Sequence, residues 1–215
     1  MLRADRLAKL FGPRLVFKDV SFEVLPGETW LVAGDNGAGK STLLAVLAGL
    51  LSPSAGKIES GLKPGEIGYL GHETFQYPRL SAVENLRFWA KLHGRDASEK
   101  RLLQSLDRVG LAAFAHEPAG RFSRGMSQRL ALARVFAETP RLVLLDEPST
   151  GLDVRSRAVL EGEIGRAREQ GAALIWVSHS IARDLPLADK VLRMDPGRPP
   201  AYVGPAVEYQ PEEVC

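Results

Sequence analysis

Gly34-Asp35-Asn36-Gly37-Ala38-Gly39-Lys40-Ser41-Thr42 decides the reading of this chain. The stretch fits the phosphate-loop pattern Gly-x-x-x-x-Gly-Lys-Ser/Thr. It follows an apolar run, Trp30-Leu31-Val32-Ala33, that reads as a buried strand, and it opens into Ser41-Thr42-Leu43-Leu44-Ala45-Val46-Leu47-Ala48, which is rich in strong helix formers. Glycines let the backbone curl so that successive N–H groups point at an anion, and the helix that follows adds its positive end. In this pattern Lys40 reaches the outer phosphates of a nucleotide and the Ser41 hydroxyl helps hold Mg²⁺. A glycine-rich turn that binds nothing is the alternative, and the succession of strand, loop, Lys-Ser and helix argues against it.

Working outward, 215 residues suit one domain, or one domain with a subdomain, and 45% hydrophobic residues can fill a core. A net charge of +2 speaks against a nucleic-acid-coating role, so no nucleic acid is expected as partner. The only cysteine is Cys215, which excludes an internal disulfide and suits a reducing cytosol. Met1-Leu2-Arg3-Ala4-Asp5-Arg6 lacks the apolar core of a secretory signal. The longest apolar stretch, Leu43 to Leu51, is interrupted by Gly49 and is too short to span a membrane. The expectation is a chain that is soluble on its own.

Val20, Phe22 and Val24 alternate with polar residues, and Pro26-Gly27 turns the chain into the strand before the loop. Ile67-Gly68-Tyr69-Leu70 reads as another strand. From Ser81 to Val109 the spacing becomes helical, with Ser81 and Glu84 forming a capping box. Leu142-Val143-Leu144-Leu145 and Ala173-Leu174-Ile175-Trp176-Val177 are continuous apolar runs, as expected of strands buried on both faces. The Pro- and Gly-rich tail from Asp195 is expected to add a small hairpin. Such a series predicts a parallel α/β core with a helical insert.

Leu142 to Leu145 leads into Asp146-Glu147. Asp146 at the end of a strand is placed to hold the water shell of Mg²⁺, and Glu147 could orient and deprotonate an attacking water. Taken alone, an acidic pair after a strand reads equally well as a solvated turn; downstream of a phosphate loop it reads as the second half of a site.

With these residues in view, the chain resembles the nucleotide-binding subunits of ATP-binding-cassette (ABC) transporters over almost its full length. Phe122-Ser123-Arg124-Gly125-Met126-Ser127-Gln128-Arg129-Leu130 looks like the family signature, Ser149-Thr150-Gly151-Leu152-Asp153 like the loop that crosses the dimer interface, and Ser178-His179-Ser180 like the switch-histidine segment. Phe11, before Gly12, occupies the place of the aromatic residue that stacks on adenine. The resemblance implies an α/β phosphate-loop NTPase (RecA-like) core with an N-terminal antiparallel β subdomain and a helical subdomain. The single domain, 1–215, divides into a β subdomain plus core (1–72 and 131–215) and a helical subdomain (73–130). It implies an ATPase that works as a head-to-tail homodimer, with ATP between one copy's loop and the other's Ser123, Arg124, Gly125 and Met126. Asp153 lies on the dimer loop, and His179 contacts the γ-phosphate beside Glu147. Integral-membrane subunits are the implied partners, at the cytoplasmic face of the cell membrane.

Two departures stand out. Arg124 and Met126 replace the usual Gly and Gln of the signature, while Ser123 and Gly125 survive. The place of the glutamine that touches Mg²⁺ holds His72. The surrounding Tyr69-Leu70-Gly71-His72-Glu73 and Leu80-Ser81-Ala82-Val83-Glu84-Asn85-Leu86-Arg87-Phe88-Trp89 look like the ATPase subunit of the haem exporter of bacterial cytochrome c maturation. Exporters of drugs, lipids or polysaccharides share much of this pattern. A soluble ABC ATPase acting on DNA or ribosomes usually carries coiled coils or two cassettes, and neither is present. His93 and His116 read as surface histidines. The segment from Glu73 to Arg121 is a candidate docking surface for a membrane subunit, with Phe75, Tyr77, Phe88 and Trp89 as anchors or as packing of the insert.

Overall fold

The computed structural model describes residues 1–63, 65–71, 73–150, 152–178 and 180–211. Among them the elements run β1 (Leu2–Phe11), β2 (Arg14–Val24), β3 (Thr29–Ala33), α1 (Lys40–Leu47), β4 (Ala55–Ser60), β5 (Ile67–Leu70), α2 (Ala82–Leu92), α3 (Glu99–Arg108), α4 (Arg124–Ala137), β6 (Leu142–Asp146), α5 (Val154–Glu169), β7 (Ala173–Val177), α6 (Ile181–Asp184), β8 (Lys190–Arg193) and β9 (Tyr202–Pro205). They form two sheets. The larger has strand order β5-β6-β7-β3-β8-β9; its first five strands are parallel and β9 closes the edge as an antiparallel hairpin with β8. The smaller is antiparallel, in the order β2-β1-β4.

The apolar runs become central strands because both faces of the large sheet are covered. Val143, Leu145, Leu31, Leu174 and Trp176 point into one core, shared with α2 to α5. Leu142, Leu144, Trp30, Val32, Ile175 and Val177 point into the other, shared with α1 and the small sheet. Alternate residues of one strand thus serve different cores, and every residue of β3, β6 and β7 is buried.

The insert is nucleated as its sequence predicts. The Ser81 hydroxyl accepts from the Glu84 N–H at 3.3 Å, and the Glu84 carboxylate accepts from the Ser81 N–H at 2.8 Å. Helix α4 runs through residue 130, so the expected boundary between subdomains at 130/131 falls inside one continuous helix. His93 and His116 are exposed.

Candidate active site

The phosphate loop joins the C-terminal end of β3 to the N-terminus of α1. Gly34, Gly37 and Gly39 have φ of 134°, 83° and 92°, which L side chains adopt only with strain. Space is limiting as well: a Cβ at Gly34 would lie 2.2 Å from the Met194 carbonyl oxygen, and one at Gly39 would lie 2.7 Å from Val16 Cγ1. Lys40 is only 5% exposed, and its ammonium donates to the carbonyls of Gly34 (2.6 Å) and Asp35 (3.0 Å). Burial lowers its pKa from the ordinary lysine value, against the opposing pull of Glu147, Asp146 and Asp35.

The strand β6 brings the second half of the site to the same place. Asp146, 3% exposed, accepts from the Ser41 hydroxyl at 3.1 Å through Oδ1. Glu147 follows in a left-handed conformation, φ 53°, which costs a non-glycine residue about 1 kcal/mol or more. Its N–H donates to the Val177 carbonyl at 3.1 Å, and its carboxylate accepts from the Thr150 hydroxyl at 3.3 Å. The turn therefore continues the sheet's hydrogen bonding for one residue while swinging the Glu147 side chain out to line the cleft beside Lys40 and Ser41.

That cleft, about 360 Å³, is lined by Phe11, Asn36, Gly37, Gly39, Lys40, Ser41, Thr42 and Glu147 from the expected set, together with Arg14 and Val16. Phe11 is half exposed at its rim, with the Lys9 ammonium 5.1 Å from its ring centre. Gly34, Asp35 and Ala38 shape the loop beneath, where the Ala38 N–H donates to the Asp35 carbonyl at 3.1 Å. The sequence reading missed Arg14 and Val16. The Gly12-Pro13 turn makes Arg14 the cross-strand neighbour of Phe11, but that these side chains face the loop follows only from how the small sheet sits on the core.

Ser123, Arg124, Gly125 and Met126 are elsewhere. They start α4, where the Ser123 hydroxyl accepts from the Met126 N–H at 3.3 Å as the helix cap. A Cβ on Gly125 would lie 3.4 Å from Ser156 Oγ and 3.8 Å from Asp153 Oδ2, so the signature abuts the Asp153 loop of its own chain. Asp153 caps α5, accepting from the Ser156 N–H at 2.7 Å. His72 and His179 lie outside the described residues.

No group of three or more His, Cys, Asp or Glu suited to hold a metal occurs among the described residues. The hydroxyl and carboxylate of Ser41 and Asp146 are an all-oxygen pair. They suit Mg²⁺, which binds through one or two carboxylates plus substrate phosphates rather than in an all-protein cage.

A family model described as ABC transporter matches residues 17–150, from β2 through the phosphate loop and signature to the turn after Glu147. The chain belongs to the ABC transporter family. The subunit is 33% identical over 208 residues to the linearmycin resistance ATP-binding protein LnrL of Bacillus subtilis, covering 92% of this chain and 67% of that one. It is 37% identical over 187 residues to the cytochrome c biogenesis ATP-binding export protein CcmA of Rhizobium meliloti, covering 83% and 90%. A solved ATP-binding subunit of an ABC transporter superposes with a TM-score of 0.88 at 27% identity, over 95% of this chain and 90% of that one. A second fold neighbour, TM-score 0.85 at 24% identity, is a dimeric ATP-binding cassette in a post-hydrolysis state with ADP and Pi. The subunit is an ABC-type ATPase with the α/β fold expected of it, and no helix among the described residues is long and apolar enough to cross a membrane.

Proposed function

We propose that this ATPase subunit drives a membrane partner in c-type cytochrome biogenesis, exporting haem or releasing it from a carrier. The observation that carries the reading is the Gly71-His72-Glu73 segment after β5, in a chain that matches cytochrome c biogenesis export proteins at 34–38% identity over most of its length. LnrL supports a second reading, an exporter of another cargo; in that comparison the chain spans only 67% of the relative.

In this reading ATP enters the cleft with its base on Phe11 and its phosphates in the 34–42 loop. Lys40 exchanges its loop carbonyls for the outer phosphates, and Ser41 and Asp146, with His72, hold Mg²⁺, which neutralises phosphate charge when bound. Glu147 takes the proton of the attacking water, and His179 contacts the γ-phosphate. Ser123 and the N–H groups at the start of α4 have no γ-phosphate to meet in their own cleft. They complete the site of a second copy placed head to tail, with Asp153 on the crossing loop. The docking surface for the membrane subunit is the cleft of about 580 Å³ lined by Glu73 to Tyr77 and Trp89, beside the half-exposed Phe88.

The test is haem staining of membrane c-type cytochromes in the source organism, with wild-type Glu147 and with Glu147→Gln at the native locus. Loss of all c-type cytochromes with b-type intact is the expected result. Normal staining would hand the subunit to another exporter.

A further inference from the structure

Arg14 belongs to none of the motifs above, yet it lines the nucleotide cleft. Its place is fixed by the β1–β2 hairpin. The turn is two residues long, Gly12 (φ 56°) and Pro13, so Phe11 and Arg14 are direct partners across the strands. Residues paired in this way put their Cβ atoms about 5 Å apart on one face of the sheet. Arg14 and Val16 both line the cleft beside the phosphate loop, and Val16, the extra residue where the register shifts between Leu15 and Phe17, packs against Gly39.

The chemistry of the hairpin end is one-sided. Lys9 donates to the Ser52 carbonyl at 2.7 Å and lies over the Phe11 ring, so one cation is already engaged with the aromatic. No carboxylate among the described residues pairs with Arg14. Arg14 is exposed and lines a cleft whose proposed ligand is a polyanion, and its guanidinium carries five N–H donors. Along that ligand, the group between a base on Phe11 and terminal phosphates at Lys40 is the ribose with its α-phosphate, and the α-phosphate is the anionic part. A second cation stacked on the base would leave the charge of Arg14 unmatched; an α-phosphate matches it.

We infer that Arg14 is a nucleotide-binding residue whose guanidinium takes the α-phosphate. The inference rests on ATP occupying this cleft, and the wild-type titration tests that separately. The experiment is calorimetric titration of the full chain, wild-type, Arg14→Gln and Arg14→Lys, with ATP, ADP and GTP. Arg14→Gln is expected to weaken all three by a similar factor, about five- to tenfold for loss of a charge-assisted hydrogen bond at an exposed site. The difference should shrink between about 0.05 and 0.5 M salt, and Arg14→Lys should retain most of the affinity. Unchanged affinities in Arg14→Gln overturn the inference. So does a loss confined to ATP and spared in GTP, which would mean a base contact, or one spared in ADP, which would mean the γ-phosphate. A wild-type chain that binds no nucleotide would instead remove the assignment of the cleft itself.

Discussion

Ser41 and Asp146, at the start of α1 and the end of β6, meet at 3.1 Å through a hydroxyl–carboxylate hydrogen bond. The contact requires β3 and β6 to lie in one parallel sheet with β7 between them, so that both strands end at the same edge. An oxygen pair at that edge is where a phosphate-bound Mg²⁺ is held in a fold of this kind.

The first prediction follows from that pair. Asp146→Asn keeps the shape and a hydrogen-bond partner for Ser41 but removes the charge proposed to orient the metal's water. Wild-type affinity for ATP should rise when Mg²⁺ replaces a chelator, and in Asp146→Asn about ten- to a hundredfold of metal affinity should be lost. Titrations with and without Mg²⁺ measure it. An undiminished Mg²⁺ effect would remove Asp146 from the metal site.

Glu147 gives the second. The carboxylate of a general base contributes about 10²–10⁴-fold to turnover, so Glu147→Gln should lose that factor in phosphate release while still binding ATP. The amide keeps the left-handed turn and the Thr150 contact, so the variant should fold normally, and ATP-bound dimers should build up on a sizing column. Wild-type turnover in this variant would mean that another group takes the proton.

Lys40 separates binding from stability. Its pKa is lowered by burial, so the folded chain holds this proton less tightly than the unfolded one. The residue's contribution to stability therefore improves as pH rises from the lowered pKa to the ordinary lysine value, and at neutral pH the buried charge works against the nucleotide-free fold. Lys40→Met should melt at or above the wild-type temperature near neutral pH, with the gap closing toward pH 10, and should lose the melting shift that ATP gives the wild type. Melting curves across that range, with and without ATP, check both halves. A variant that melts lower at neutral pH and regains the difference in alkali would reverse the sign argued here.

The phosphate loop, β3, β6, β7 and the capping box of α2 were legible because each is local: a spacing, an apolar run, or a side chain reaching its own helix. The strand β1 was not, since Leu2, Ala4 and Leu7 are buried where strict alternation would bury residue 6. The reason is a bulge. Arg6 has φ 47°, the register with β2 shifts between Ala4 and Leu7, and the inward face resumes one residue late. Asp19 (φ 53°) does the same to β2, leaving Lys18 and Asp19 both exposed, and a second register shift at Val16 leaves Val16 and Phe17 both buried. Arg14 was missed for a related reason: which hairpin side chains face the loop depends on how the small sheet sits on the core, and no spacing within β1 or β2 carries that.

Arg134 supports the last prediction. It projects from α4 beneath the insert, its guanidinium 4.9 Å from the Trp89 ring centre and 5.9 Å from that of Phe75, with Nη2 donating to the Tyr69 carbonyl at 3.2 Å. Burial brings its pKa down to about 10, so it remains charged at neutral pH. One side chain thereby ties α4 to the end of β5 and to two aromatics that line the proposed docking cleft. Arg134→Ala leaves the Tyr69 carbonyl short of a donor and the rings without support, and should cost about 1–3 kcal/mol for the unsatisfied group alone. Arg134→Met keeps the stem's packing without carrying a charge into a desolvated site, and should cost less. Urea unfolding ranks the three chains, and Trp89 emission should move to longer wavelength in the alanine variant as water reaches the ring. An unchanged midpoint in Arg134→Ala would mean that the ring contacts hold the cleft without the cation beneath them.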